Sequence, residues 1–336
     1  MNSAAPARTV RLGFAGVGWI GRNRMSALAD SSAVEVVAVA DPVEELRAAA
    51  LERAPGAHAL SDFEDLLDLD LDGIVIATPS ALHAAQATVA LESGVAVFCQ
   101  KPLGRDAAET EHVVAAARRS DRLLALDLCY RHTAASRRLR DLVQDGALGH
   151  IYAAELTFHN AYGPDKSWFT DRALAGGGCL IDLGTHLVDL AIWLLGARDV
   201  SVKSASVLRR GERLPRESCE VEDYAVAELE LDSDARARLA CSWWLPVGRD
   251  CAIEVVLYGT EAAAALRNVD GSFYDFRCEL MRGTATERQT EAPDRWGGRA
   301  ALAWAHRLAN DSSYDPEADE LVRTARVLDA IYETAP

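Results

Sequence analysis

Short apolar runs alternate with segments of helical length over the first third of the chain. The runs cover residues 10–15, 34–40, 73–77, 95–99 and 123–126, and the longer segments cover 43–53, 81–92 and 106–119. Continuous apolar runs are typical of strands that are buried on both faces of a parallel sheet. Repeated strand–helix units predict an α/β domain over residues 1–127 with a doubly wound, Rossmann-type parallel sheet.

The pattern changes after residue 127. Polar and apolar residues alternate in the segments 150–158, 200–208, 223–231, 236–244, 251–258 and 262–267, which predicts antiparallel strands. One strongly apolar helix is expected over 180–195, a polar loop over 279–298, and two closing helices over 300–308 and 317–332. We therefore expect residues 128–336 to form an α+β domain with a large, mostly antiparallel open sheet.

A glycine-rich turn connects the first apolar run to the first helical segment. Its sequence is Gly16-Val17-Gly18-Trp19-Ile20-Gly21. Gly16 permits a tight turn, Gly18 lets the backbone approach a pyrophosphate, and Gly21 lets the helix pack close to the strand. Because strand, turn and helix occur together, the segment from Gly16 through Trp19 and Ile20 to Gly21 predicts a dinucleotide site.

Asp41 ends the second apolar run and bears on the choice of cofactor. Its carboxylate can accept hydrogen bonds from both ribose hydroxyls and would repel a 2′-phosphate. The next basic residue is Arg47, about one turn into the following helix. NAD is therefore favoured over NADP; a role of Asp41 as a helix cap is compatible with this function.

Other polar residues follow the predicted strands at the edge of the sheet where ligands bind. Thr78, Pro79 and Ser80 follow one strand, with His83 one turn into the next helix; Gln100 and Lys101 follow the next strand, and Arg131 lies beyond the last. We predict cofactor contacts for the first six and a substrate hydroxyl or cofactor phosphate for Arg131. Lys101 could equally be an exposed lysine, and Arg131 could simply pair with an acid.

The apolar helix of the second domain carries acid–base groups. Asp182, His186 and Asp189 have the spacing i, i+4, i+7 and should lie on one helix face, directly after Gly176-Gly177-Gly178. A helix-dipole acid and a core histidine are the alternative, and a metal site at these residues is not favoured. Tyr162 and Trp168, in a loop, are either a stacking wall for a sugar ring or packing anchors.

The chain resembles the Gfo/Idh/MocA family of NAD(P)-dependent oxidoreductases. The resemblance rests on residues 13–21, 38–42, 78–83, 100–102, 176–189 and 325–333, in this order. It implies a catalytic triad of Lys101, Asp182 and His186 that oxidises a sugar or cyclitol hydroxyl, or reduces the ketone. It also implies substrate contacts of Asp182 and His186, and a homodimer or homotetramer formed through the C-terminal sheet.

One position departs from the family pattern, because Gln100 stands where Glu precedes Lys-Pro. An amide cannot neutralise the Lys101 ammonium, so Gln100→Glu should shift the pH–rate profile towards higher pH. A neutral substitution is the alternative.

Composition narrows the class of protein. The 336 residues carry a net charge of −16, which argues against nucleic acid and anionic membranes as partners. Seven cysteines without metal-type spacing indicate a reducing, cytoplasmic location, and no segment suggests secretion or membrane insertion. Besides a sugar, amino-sugar or inositol dehydrogenase, an NAD-dependent glycosidase of this fold and a non-catalytic NAD(H) sensor remain open.

Overall fold

The structure is a computed structural model that describes residues 8–336. The chain divides into two compact units. Unit 1 comprises the residues up to Cys129 together with Gly297–Val322, and unit 2 comprises Tyr130–Trp296 with Arg323–Pro336. The sequence pattern places the entire segment 128–336 in the second domain, so the assignment of Gly297–Val322 differs from that expectation.

The helices occur in both units. Along residues 8–336 they are α1 (Trp19–Ala29), α2 (Glu44–Leu51), α3 (Ser80–Glu92), α4 (Ala107–Ser120), α5 (Ala134–Gln144), α6 (Arg172–Ala175), α7 (Thr185–Leu195), α8 (Arg299–Leu308) and α9 (Asp319–Thr334). Short 3₁₀ helices lie at Glu64–Leu66, Cys129–His132, Ser167–Thr170 and Pro316–Ala318. A π-helical segment, Leu180–Gly184, leads directly into α7.

Unit 1 is built on a six-stranded parallel sheet. Its strands are β1 (Val10–Ala15), β2 (Val34–Ala40), β3 (His58–Leu60), β4 (Gly73–Ile76), β5 (Ala96–Cys99) and β6 (Leu124–Leu126), in the order β3-β2-β1-β4-β5-β6. β4 and β5 are buried at every position, as their continuous apolar runs predicted. The predicted doubly wound parallel sheet is confirmed, with its topological switch point between β1 and β4.

Helices cover both faces of this sheet. On one face α3 and α4 supply residues such as Leu91 and Val113 to a core with Ile76. On the other face α1 and α8 pack over Phe14 and Phe98. The Trp304 ring of α8 lies 5.6 Å from that of Phe98, measured between centroids. This packing explains why Gly297–Val322 belongs to unit 1: α8 packs on one face of the parallel sheet, and Ala318 and Leu321 join the core on the other.

Unit 2 is built on a nine-stranded sheet. Its strands are β7 (Ile151–Asn160), β8 (Val200–Arg209), β9 (Glu212–Arg213), β10 (Tyr224–Leu231), β11 (Arg236–Ser242), β12 (Cys251–Gly259), β13 (Ala263–Asn268), β14 (Phe276–Arg282) and β15 (Ala285–Arg288). The order is β15-β14-β13-β12-β7-β11-β10-β8-β9, and every pair is antiparallel except β7 with β11. The predicted large, mostly antiparallel sheet is confirmed.

The predicted loop over 279–298 is wrong in its first part, where β14 ends and β15 pairs with it. Charged residues concealed the strand pattern. Glu279 is buried, but Arg267 Nη1 lies 2.6 Å and Arg277 Nε 2.9 Å from its carboxylate oxygens. A carboxylate paired in this way can occupy an interior strand position, which apolar periodicity does not reveal.

Helices α5 and α7 pack on the sheet of unit 2, α5 against β13 and β14, and α7 against β7 and β11. The stretch Arg172–Leu195, which contains α6, the π-helical segment and α7, is long and apolar enough to cross a membrane by length and composition alone. Its most apolar window is 83% buried inside the protein, as in the core helix of a globular domain.

Candidate active site

In unit 1, the glycine-rich turn forms an open cradle at the N-terminus of α1. Gly16 has φ +81°, and a Cβ there would lie 2.6 Å from the backbone of Ala77. A Cβ on Gly21 would lie 2.1 Å from the Gly16 carbonyl oxygen, so the close approach of helix and strand requires glycine. At Gly18, by contrast, a Cβ would meet nothing within 4 Å. The turn is thus tightly packed at Gly16 and Gly21 and open at Gly18, which fits a pyrophosphate bound above Gly18.

Asp41 lies beside this cradle and is fixed by main-chain donors. Its Oδ2 accepts a hydrogen bond from Val17 N and its Oδ1 one from Val43 N, both at 3.0 Å. Both oxygens keep lone pairs for further donors. Arg47 donates from Nη1 to the Asp41 carbonyl oxygen at 2.5 Å. A guanidinium is therefore fixed at the main chain of Asp41.

The two neighbouring residues in the turn face different environments. The Trp19 side chain is 64% exposed, while Ile20 is half-buried. Both precede Gly21 within the first turn of α1.

The residues after β4 are held together by side-chain bonds to the main chain. Pro79 is the N-cap of α3, Ser80 is buried at its start, and Thr78 Oγ1 donates to Gln86 Oε1 at 2.7 Å. His83 is buried, with Nε2 2.7 Å from the Thr78 carbonyl oxygen and Nδ1 2.6 Å from that of Pro102. Its imidazole thus links the end of β4 to the Lys101-Pro102 segment through two main-chain carbonyl oxygens. His83 would therefore contribute to cofactor binding indirectly, by positioning these two segments.

His83 experiences opposing influences on its protonation. Burial lowers the pKa of the imidazole, the carbonyl oxygens of Pro102 and Thr78 raise it, and the positive charge of Lys101 lowers it; the net effect is a lowered pKa. A neutral imidazole can donate to only one of these carbonyl oxygens.

Gln100 and Lys101 follow β5, where a carboxylate that the sequence analysis missed lies alongside. The Gln100 amide donates a short hydrogen bond to Asp127 Oδ2, and Arg24 Nε lies 2.5 Å from the same oxygen. Asp127 is 1% exposed and follows β6. A buried carboxylate at position 127 thus accepts the hydrogen bond of the Gln100 amide. Its signal was an aspartate at the end of an apolar strand.

In unit 2, Asp182 and His186 lie on one helical stretch, but the stretch is not a regular α-helix. Asp182 lies within the π-helical segment, and His186 in the first turn of α7. The expected α-helical spacing i, i+4, i+7 is thus interrupted by one wider turn. Single π turns inside α-helices occur frequently at functional sites.

Aromatic residues fix both groups. Trp243 Nε1 donates to Asp182 Oδ2 at 3.1 Å. The His186 ring, 6% exposed, lies edge-on to Tyr130 with the ring centroids 4.7 Å apart. Phe158 lies on the same ring at 6.4 Å. Trp243 was not predicted, because its role depends on a contact between distant segments.

Arg131 and Asp189 form a buried ion pair. Arg131 Nε donates to both carboxylate oxygens at 3.0 Å, and Nη2 lies 2.5 Å from Oδ1. The simpler alternative for Arg131, pairing with an acid, describes this arrangement. Within residues 8–336, no group of three or more His, Cys, Asp or Glu side chains is arranged to hold a metal ion.

The residues predicted to stack on a sugar ring lie in two aromatic groups. Tyr162 is exposed, and its ring centroid lies 6.2 Å from that of Phe273. Trp168 stacks on Phe169 at 3.8 Å, and Phe169 meets the Trp243 ring edge-on at 6.3 Å. Trp168 is thus connected to Asp182 through the Phe169–Trp243 contact, whereas Tyr162 belongs to a separate group.

A buried carboxylate supports the start of the helical stretch. Glu222 Oε1 accepts hydrogen bonds from Gly178 N at 3.0 Å, Leu180 N at 2.9 Å and the Tyr332 hydroxyl at 2.8 Å. Burial raises the pKa of Glu222 despite these donors, which act in the opposite direction. Glu222 thus provides the N-terminal acceptor that the triple-glycine segment itself lacks.

Comparison with known families matches both parts of the chain. Residues 10–128 match an oxidoreductase family with an NAD-binding Rossmann fold. Residues 136–265 match the GFO/IDH/MocA C-terminal domain.

Several known proteins are similar to this chain over most of its length. A putative UDP-kanosamine synthase oxidoreductase subunit from Amycolatopsis mediterranei is 32% identical over 274 residues, covering 77% of this chain and 75% of that protein. A D-glucoside 3-dehydrogenase from Escherichia coli is 28% identical over 350 residues, covering 100% and 98%.

Solved structures share the fold. Levoglucosan dehydrogenase in complex with NADH and levoglucosan has a TM-score of 0.83 at 23% identity, covering 98% of this chain and 97% of that one. A 3-ketoreductase from Actinomadura kijaniata in complex with NADP and TDP-benzene has a TM-score of 0.83 at 22% identity, covering 98% of each chain.

Proposed function

This chain is a member of the GFO/IDH/MocA family of oxidoreductases, and we propose that it uses NAD to interconvert a secondary hydroxyl and a ketone on a carbohydrate. The substrate class is a sugar, amino sugar or cyclitol. The observation that carries the proposal is the carboxylate–imidazole pair of Asp182 and His186, held on one helical stretch by Trp243 and Tyr130. Such a pair, together with a lysine at the carboxyl edge of a dinucleotide-binding sheet, suits proton transfer to and from an alcohol.

Each group has a distinct role in this proposal. His186 takes the hydroxyl proton during oxidation and returns it during reduction. Lys101 donates a hydrogen bond to the same oxygen and stabilises negative charge there. Asp182, whose carboxylate is fixed by the Trp243 indole, orients the substrate. Arg131, already paired with Asp189, contributes to the shape and charge of the region rather than as an isolated cation.

The cofactor would be held by the cradle of Gly16, Gly18 and Gly21, with Asp41 at the ribose. When bound, NAD supplies the hydride acceptor. Asp41 supports NAD over NADP because a 2′-phosphate would meet its carboxylate. Arg47 moderates this preference, since its guanidinium lies 2.5 Å from the Asp41 carbonyl oxygen.

The relatives support a carbohydrate substrate. Their names include a D-glucoside dehydrogenase and a subunit of an amino-sugar synthase. The segment that carries the aromatic groups also contains three acidic residues, Asp165, Asp171 and Asp182. Their negative charges would favour a ring that carries an amino group. We extend the proposal to amino sugars for this reason.

The test is a screen of free sugars, glycosides, cyclitols, amino sugars and nucleotide sugars for NADH formation. A dehydrogenase forms one NADH for each substrate oxidised, whereas a glycosidase that recycles NAD gives product with only a trace of NADH. Lys101→Ala and His186→Asn should each lower kcat about 10²- to 10⁴-fold. Lys203→Ala, which removes a lysine from strand β8, is the matched control. No NADH with any compound would overturn the proposal.

The C-terminal sheet is the proposed contact of a homodimer or homotetramer. Helices α5 and α7 pack on this sheet through side chains such as Phe158, which meets His186 of α7. Glu155, Arg238 and Glu228, neighbours across β7, β11 and β10, alternate with the buried positions and are exposed. Sedimentation analysis of the wild type and of Glu155→Arg tests this, with dissociation expected for the variant.

We also propose that the protein functions in a reducing compartment such as the cytoplasm. All seven cysteines are free thiols, and five of them are buried. Burial raises the pKa of the Cys99 and Cys179 thiols, which makes them poor nucleophiles. They act as small apolar residues.

A further inference from the structure

A buried carboxylate joins three elements of unit 1 where β5 and β6 end. Asp127 Oδ2 receives the Gln100 amide from the end of β5 and Arg24 Nε from α1, the latter at 2.5 Å. Arg24 is itself oriented by Asn23, whose Oδ1 accepts from Nη1 at 2.7 Å. Both Asp127 and Arg24 are almost fully buried, so the pair is not a solvent-screened surface contact.

The main chain makes this junction rigid on both sides. Gln100 N donates to Ile76 O and Asp127 N donates to Cys99 O, each at 2.8 Å. The residue after Gln100 is Lys101, and the Pro102 carbonyl oxygen is held by His83. The backbone of Lys101 therefore lies between two fixed points, and the Gln100–Asp127 bond is one of them.

The charges around the junction show why an amide stands at position 100. Among the described residues, Asp127 Oδ1 has no hydrogen-bond partner, so the carboxylate depends on the donors at Oδ2. A second carboxylate at position 100 would replace the amide donor by a like charge within hydrogen-bond distance. Arg24 and Gln100 contact Asp127 directly. Its charge also acts on Cys99 and Cys129, and burial together with this charge raises the pKa of Cys129 to about 12.

We propose that Asp127 is a positioning residue that takes the place of the acid expected at position 100. It holds the Gln100 side chain, and through it Lys101, and connects both by Arg24 to the helix that follows the dinucleotide cradle. The inference rests on the proposed catalytic role of Lys101. In this proposal Gln100, Asp127 and Arg24 act together as one charge-balanced group. Its carboxylate stands at the end of β6 instead of at the end of β5.

The test is an exchange of the two groups. Asp127→Asn removes the charge that balances Arg24, and Gln100→Glu sets two carboxylates against each other; both substitutions are isosteric. The double variant Gln100→Glu/Asp127→Asn restores one carboxylate, one amide and the net charge. The amide introduced at position 127 can then donate to the carboxylate at position 100 and accept from Arg24. Asp319→Asn, which breaks the exposed pair with Arg118, is the control for loss of a carboxylate in the same unit.

Each single variant should lower kcat about 10- to 100-fold, the effect expected from a displaced catalytic group. In Asp127→Asn the pH–rate profile should also change, because the buried Arg24 guanidinium then lacks its balancing carboxylate. The double variant should return to within about threefold of the wild type, with its pH profile restored. A merely structural role would change unfolding midpoints without moving the pH profile.

Several outcomes overturn the inference. One is an Asp127→Asn enzyme with wild-type kcat and pH profile; another is a double variant no better than the worse single variant. If the single variants do not fold, the double variant decides: a folded, active protein supports the inference, and an unfolded or inactive one contradicts it. Full activity of Lys101→Ala would instead defeat the proposed function, whatever the exchange shows.

Discussion

At the scale of single residues, the candidate site is made of ordinary side chains fixed by specific donors. Asp182 is held by the Trp243 indole, and Asp41 by two main-chain amides. Hydrogen bonds to a charged group contribute about 1.5–3 kcal/mol each. Removing one such donor should therefore change activity measurably without unfolding the protein.

Trp243→Phe tests the orientation of Asp182. The variant keeps an aromatic ring next to Phe169 but loses the donor to the carboxylate, so kcat/KM should fall about tenfold or more. Trp244→Phe, at the neighbouring exposed tryptophan, is the matched control. Equal kcat/KM values for the two variants would show that the indole N–H does not matter.

Asp41→Asn tests the basis of cofactor preference. Removing the carboxylate charge should raise the ratio of kcat/KM with NADP to kcat/KM with NAD about tenfold or more. The reason is that Arg47, at the main chain of residue 41, could then attract the 2′-phosphate of NADP without an opposing carboxylate. Adding Arg47→Ala to this variant should cancel part of the gain. An unchanged ratio in Asp41→Asn would refute the assignment of Asp41 to the ribose.

At the scale of secondary structure, the sequence predicted elements whose pattern is local. The apolar runs of β4 and β5 and the glycine turn before α1 were found within one or two residues. The predicted apolar helix over 180–195 ends at Leu195 as α7 does, but its first five residues are π-helical. The missed features depend on distant partners. Glu279 in β14 is paired with arginines. The π turn that carries Asp182 begins at Leu180, whose main-chain amide donates to Glu222, more than 40 residues later in the chain.

Glu222→Gln tests the support beneath that turn. The amide oxygen can still accept from Gly178 and Leu180. Because the folded-state pKa of Glu222 is raised, the folded protein binds more protons than the unfolded chain above the ordinary value of 4.5. This contribution to stability is present below pH 4.5 and is lost as pH rises to the raised pKa.

Glu222→Gln should therefore lose less stability than the wild type as pH rises from 4.5 through the raised pKa of Glu222. Thermal unfolding at several pH values measures the difference, with a change of about 2 °C or more expected. Glu220→Gln, at an exposed glutamate two residues earlier, should behave as the wild type does. Parallel curves for the wild type and Glu222→Gln would contradict this account.

At the scale of the whole molecule, the nucleotide-binding unit is not a continuous segment. α8 packs on α1 and on Phe98, although about 170 residues of unit 2 intervene. Periodicity could place a helix at 300–308 but could not show which sheet it covers, because an amphipathic helix fits either. Trp304 contributes by packing, since among the described residues its indole nitrogen has no hydrogen-bond partner.

Unit 1 should therefore need its returning segment in order to fold. A fragment that ends at Cys129 should show no cooperative urea unfolding, because the sheet face that α1 and α8 cover together then lacks α8. In the full chain, Trp304→Ala should lower the free energy of unfolding by about 3–5 kcal/mol. Cooperative unfolding of the fragment would show that α8 is dispensable.

The central claim is that His186 takes the hydroxyl proton, and Lys101 donates a hydrogen bond to the same oxygen, while a hydride leaves the hydroxyl-bearing carbon for NAD. Mass spectrometry of the reduced cofactor tests it, with a substrate from the screen deuterated at the reacting carbon. The account predicts one deuterium per reduced cofactor with the wild type and with Lys203→Met. It also predicts rates lower by about 10²- to 10⁴-fold with Lys101→Met and His186→Asn. Unlabelled reduced cofactor, or wild-type rates in those two variants, would contradict it.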